Sequence, residues 1–182
     1  MKNIINKLMT FVAGLSFIFT LSSCENSSPV QINSTKVQEP TAEELTFLKS
    51  RNPFLGKIFK RRQLITVTDG GILKVGDHST GISGIKFNPG DLSADLNVGF
   101  WWDSNNFEAK FYPHGSIFNN PVVIRLSYKD ADLTGIDEDS LKIWYYDEEE
   151  GIWEQIGQEL NKELKYIKGT ITHFSRYAIA AN

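Results

Sequence analysis

The residues of this chain best suited to chemistry lie near its end, in "TITHFSRYAIAAN". His173, Phe174 and Ser175 place a base, a bulky apolar residue and a hydroxyl nucleophile side by side, the ingredients of a reactive peptide bond. The same tripeptide also reads as ordinary strand, with Phe174 turned into a core and His173 and Ser175 turned out by period-two alternation. A second candidate is "DADLTGIDEDSL". Asp130, Asp132 and Gly135 take the first, third and sixth places of a calcium loop, the Ile136 carbonyl follows, and Asp137 and Asp139 add charge. Thr134 at the fifth place and Leu141 at the twelfth leave that loop without its bidentate Glu. A solvated acidic turn accounts for the same residues, and calcium is the one cofactor the sequence suggests. The remaining histidines, His78 and His114, belong to no HExxH, and the chain has no GxSxG, P-loop or second cysteine. His114, between Pro113 and Gly115, reads as a turn residue. Ordinary hydrolases and metalloenzymes find no support here.

The elements that would position these residues are strands. From Gln63 onward, "QLITVT", "GILKV", "SGIKF", "LNVGFWW", "FEAKFY", "VVIRLSY", "LKIWYYD" and "YIKGTIT" are rich in β-branched and aromatic residues. Gly, Asn, Asp and Pro punctuate them at intervals that favour an all-β, antiparallel sandwich. In "VVIRLSY" the alternation sets Val122, Ile124 and Leu126 against Val123, Arg125 and Ser127; in "LKIWYYD" it sets Leu141, Ile143 and Tyr145 against Lys142, Trp144 and Tyr146. "EQIGQELNKELK" has helical propensity, but Gly157 and the flanking strand point to a hairpin connection. "YYDEEEGIWE" reads as a turn, with Gly151 supplying the permissive backbone. Trp101 and Trp102 must face opposite sides of a strand; core packing is expected for both, and an exposed one near Tyr112 and Tyr146 would suit a protein or glycan contact. A chain 41% hydrophobic and 12% aromatic can build the core this needs. Its net charge of −3 lacks the basic footprint of a nucleic-acid binder.

The N-terminus reads as a targeting segment. Lys2 and Lys7 precede the apolar run "LMTFVAGLSFIFTL", too short for a stable span. "LSSC" follows and looks like a bacterial lipobox, with Ser23 where Gly or Ala is more usual. It implies diacylation of Cys24 and cleavage before it, hence a signal peptide over 1–23 and stable membrane anchoring. Cys24 is the only cysteine, so no internal disulfide exists and the thiol makes sense as a lipid attachment point. Residues 24–40 are polar and read as a flexible tether. Over 41–62 the expectation is a short helix followed by a basic lead-in. Thr41 and Glu44 form a capping-box pattern ahead of Leu45 and Leu48. In "NPFLGKIFKRRQ", Phe54, Leu55, Ile58 and Phe59 mix with Lys57, Lys60, Arg61 and Arg62. That lead-in either packs its apolar residues on the sandwich with its charges in water, or touches anionic lipid.

"GGILKVG", "IKFNPGDL", "FYPHGSIFNNPVVIRLSY" and "HFSRYAI" occur in the order of ZU-five domains, the β-sandwich modules of ankyrins and netrin receptors. The resemblance covers residues 63–182, most specifically around Pro113, His114, Gly115 and Pro121. It implies a sandwich used for protein contacts, with no common enzyme activity. It also makes His173-Phe174-Ser175 similar to a self-cleaving site, in which Ser175 Oγ attacks the Phe174 carbonyl, His173 takes the proton and water hydrolyses the ester. The sequence thus leads to a lipid-anchored envelope protein at the outer membrane or cell surface. Its sandwich would bind an unknown protein or envelope polymer, with self-cleavage and calcium-dependent adhesion as the alternatives.

Overall fold

A computed structural model describes residues 44–182 apart from Leu55 and Gly157. Within them the alternating stretches form two antiparallel sheets, as the all-β reading requires. The first runs in the order β2 (Ile58–Ile65), β5 (Leu96–Asp103), β6 (Glu108–Tyr112), β12 (Arg176–Ala181), β8 (Leu141–Asp147) and β9 (Ile152–Gln155), with β1 (Thr46–Phe47) also paired to β12. The second runs β10 (Gln158–Asn161), β11 (Tyr166–His173), β7 (Ile117–Ser127), β4 (Gly81–Phe87) and β3 (Gly71–Asp77). A 3-10 turn, Glu138–Ser140, leads into β8.

Alternation explains which residues meet between the sheets. Val98, Phe100, Trp102, Phe111, Ile143 and Tyr177 of the first sheet share one buried cluster with Leu73, Ile85, Ile124 and Ile167 of the second. Val122, Ile124 and Leu126 face this core while Val123 and Arg125 stand in solvent. Ser127 falls on the outward side yet is buried, donating to the Thr80 carbonyl at 3.1 Å. Gly81 beside it has a positive φ of 79°, and a Cβ there would collide with the Ser127 hydroxyl. The buried cluster of the described residues lies within one compact unit of the chain, Val37–Asn182.

The sandwich begins earlier in the chain than residue 63. The basic lead-in is strand β2, which pairs with β5 from Ile58↔Asp103 to Ile65↔Leu96. Phe59 packs against the core, while Ile58 and Leu64 are exposed with Lys60 and Arg62. The helix expected from Thr41 starts outside the described residues, and its described part is extended. Thr46 and Phe47 pair with Ala181 and Ala180, continuing the ladder where β6 leaves β12. Leu48 is fully buried in the core, and Leu45 closes a second cluster on the outer face with Trp144, Trp153, Ala178 and Ala180. Tertiary burial of Leu45 and Leu48, worth about 1.5–3 kcal/mol per fully buried side chain, overrides a capping-box propensity of about 1 kcal/mol.

The terminal stretch "TITHFSRYAIAAN" is not one strand. It belongs to both sheets, ending β11 at His173 in one and starting β12 at Arg176 in the other. Phe174 and Ser175 make the crossing. "EQIGQELNKELK" crosses as well, from β9 to β10, before a tight turn with Lys165 at φ 53° leads into β11. Trp102 joins the core, whereas Trp101 lies on the outer face beside Tyr112, its ring 4.2 Å from Lys60 Nζ. Tyr146 packs on Trp153.

Candidate functional site

The crossing at Phe174-Ser175 is held by main-chain hydrogen bonds from three elements. β11 slips register between Ile171 and His173, so His173 pairs with Ile117 at the start of β7. Phe174 N–H donates to the Ser116 carbonyl at 2.9 Å, and Gly115 N–H donates to the Phe174 carbonyl at 3.1 Å. Phe111 N–H then donates to the Ser175 carbonyl at 3.3 Å as β6 and β12 come together. The Phe174 ring is fully buried among Phe87, Phe111 and Phe118, with centroid distances of 6.2, 5.8 and 4.9 Å. Alternation had placed Phe174 inside correctly.

Ser175 departs from that pattern. It is buried, and its hydroxyl donates to the Tyr146 carbonyl at 3.0 Å. His173 lies half-buried, its ring edge-on to Tyr145 at 5.4 Å and its Nδ1 3.3 Å from Thr172 Oγ1. A general base must come within hydrogen-bond reach of the proton it removes; here the nucleophile's hydrogen bond goes to a carbonyl. Attack on Phe174 requires Ser175 Oγ to leave that acceptor first. The His173 carbonyl is itself tied down by the Tyr177 hydroxyl at 2.7 Å.

A depression of about 430 Å³ opens over this crossing and brings His114, Gly115 and Glu148 to His173 and Ser175. His114 sits in the turn after β6, as its neighbours Pro113 and Gly115 suggested, with Nε2 3.5 Å from Glu148. The residues that sequence reasoning missed are those reaching Phe174 and Ser175 through the main chain: the Gly115 and Phe111 N–H groups and the Ser116 and Tyr146 carbonyls. Their only signal was the segment Pro113–Gly115, whose pairing with the C-terminal tripeptide is a tertiary fact. Around the site, burial pushes the Tyr145 hydroxyl above its ordinary value, with Glu154 and Asp147 adding to it, and burial does the same for Tyr177. The N–H groups of Glu150 and Glu149 hold Asp147 below the usual carboxylate range.

The acidic loop does not converge. Asp130 accepts from Ser50 Oγ at 2.7 Å, Asp132 from the Thr134 hydroxyl and N–H, and Asp137 caps the 3-10 turn through Asp139 N–H. Asp139 pairs with Lys162. The Thr134 hydrogen bonds lower the Asp132 pKa, as expected for an acid closing a turn. Among the described residues no group of three His, Cys, Asp or Glu side chains could hold a metal ion. The four carboxylates suggested for calcium, Asp130, Asp132, Asp137 and Asp139, thus each have a separate partner: Thr134 and Asp139 N–H lie within the loop, Ser50 and Lys162 outside it.

Cys24, with the rest of the signal and tether segments, lies outside the described residues. The two outer sheet faces differ. On the first, Leu45 and Phe47 cover Trp144 and Trp153. On the second, Ile72, Ile82 and Val123 stand exposed among lysines and Arg125. No protein-family model matches the chain, and no curated protein matches it.

Proposed function

We propose that this chain is a bacterial envelope lipoprotein, held at the outer membrane or cell surface by lipid on Cys24. Its sandwich is a ZU-five-like module that binds a protein partner or serves as a structural element. The observation that carries the binding role is the outer face of the second sheet, where Ile72, Ile82 and Val123 are 48%, 39% and 42% exposed. Aliphatic side chains grouped among cations mark interaction surfaces more often than scattered single ones do. The anchor rests on "LSSC" and the solitary Cys24.

The test is the denatured intact mass of the protein purified from the membrane fraction. Residues 24–182 plus three acyl chains is the expected result, and an unlipidated mass overturns the anchor. A chain ending at Phe174, with a peptide Ser175–Asn182 beside it, would replace the binding module by a self-processing domain. The Gly115 N–H on the Phe174 carbonyl favours that second reading, because it is aimed at the oxygen that would gain charge during attack. The hydrogen bond from Ser175 to Tyr146 opposes it.

A further inference from the structure

On the second sheet, register places like-charged residues in a single row across four strands. Lys74 of β3 pairs with Gly84 of β4, Gly84 with Arg125 of β7, and Arg125 with Lys168 of β11. The next row adds Lys86, opposite both Ile72 and Val123. Like charges directly opposite each other destabilise a sheet, and this row occurs in a chain whose net charge is negative. One end is compensated. Glu159 pairs with Lys168 at 2.9 Å, and the Arg125 guanidinium lies 4.0 Å over the Tyr166 ring. Among the described residues, Lys74, Lys86 and Arg125 have no carboxylate within ion-pair distance.

Gly84 is the bare centre of the group. A Cβ there would lie 3.0 Å from the Leu73 carbonyl oxygen and 3.4 Å from Lys74 Cγ, so the position is closed to larger residues without adjustment. Strands stand about 4.8 Å apart, which puts Lys74 and Arg125 about 10 Å apart across the gap. The resulting depression holds about 520 Å³. Along β4 the same face reads Lys86, Gly84, Ile82, spaced about 6.7 Å per step, the spacing of alternate side chains in any extended peptide.

We infer that this depression binds an extended acidic segment of a partner protein. The segment lies along β4 with two carboxylates at positions i and i+2 facing Lys86, Lys74 and Arg125, and an aliphatic side chain at i+4 on Ile82. Charge complementarity selects the acids, and the bare Gly84 admits a side chain where a flat bilayer surface would span the gap from above. The inference rests on the binding-module reading and names the chemistry of its partner.

The experiment uses Val37–Asn182, the compact unit of the chain. The probe is a labelled synthetic peptide, Glu-Thr-Glu-Thr-Leu-Thr, followed by fluorescence anisotropy and by amide shifts in nitrogen–proton correlation spectra. The expected result is saturable binding, weakened by salt, with the largest shifts at Gly84 and Val123. The peptide with Gln in place of Glu should not bind. The variant Lys74→Gln with Arg125→Gln should bind about tenfold more weakly, the loss of charge-assisted contacts, with the fold kept, shown by an unaltered circular dichroism spectrum, because both side chains are exposed. Absence of binding overturns the inference, as does binding that the double variant leaves intact or capture by phosphatidylglycerol vesicles in preference to the peptide. Shifts confined to another face sink this site while keeping the module. An unlipidated mass sinks the anchor and leaves the site standing.

Discussion

At the scale of single residues, the crossing rests on Phe174 and Ser175 in unequal measure. Phe174→Ala empties a fully enclosed site between two sheets and should cost about 3–5 kcal/mol. Ser175→Ala leaves the Tyr146 carbonyl without its donor and should cost about 1 kcal/mol. Urea midpoints of the two variants check this order; equal losses would mean that the hydroxyl holds more of the crossing than one hydrogen bond. Tyr128, Tyr145 and Tyr177 give a pH dependence. Burial raises all three phenols above their ordinary value, aided by Glu138 at Tyr128 and by Glu154 at Tyr145. The fold thus favours their neutral forms. Their contribution to stability is complete below the unfolded value of about 10 and is lost as pH rises through the folded values. Stability measured by denaturant should fall above about pH 10. Tyrosinate absorbance should show Tyr128, Tyr145 and Tyr177 titrating late in the folded protein and no longer late in urea. Three ordinary titrations in the folded state would contradict the burial assigned to them.

At the scale of elements, β1 has an effect out of proportion to its two residues. It takes over the edge of β12 that β6 vacates, and the flanking Leu45 and Leu48 point to opposite faces of the first sheet. Leu45→Ala combined with Phe47→Ala should uncover Trp144 and Trp153, shift tryptophan emission to the red and lower stability by about 3 kcal/mol. Unchanged emission would mean that the cluster stays closed without β1. The strands themselves were legible because β-branched alternation is local. The double crossings at Gln155–Gln158 and Phe174–Ser175 were not: each is a few residues long, and nothing in a short apolar run says which of two sheets it will join. Propensity also misjudged residues 44–52, where packing outweighs a modest helical preference.

At the scale of the molecule, one buried cluster runs through both sheets. The compact unit Val37–Asn182 should therefore unfold in a single cooperative step, with far-ultraviolet and near-ultraviolet circular dichroism giving the same midpoint. Separate midpoints would show that the outer cluster around Trp144 melts independently. The charge distribution is likewise a property of the whole. The overall balance is acidic, yet register collects Lys74, Lys86 and Arg125 around one glycine. Net charge alone does not show where a negative group could be received; the arrangement of strands does.

The sequence by itself determined the all-β class, how the side chains of the strands at Val122–Ser127 and Leu141–Asp147 divide between two faces, and the burial of Phe174. These follow from side-chain alternation, a property of neighbours in the chain. Tertiary structure decided what the chemically suggestive residues do. It committed the Ser175 hydroxyl to a carbonyl from another strand, brought Gly115 to Phe174, and divided the acids of the 130–139 loop among separate partners. The reason is the same in each case: a polar group's role depends on the partner that reaches it, and here the decisive partners come mostly from strands and turns far away in the chain.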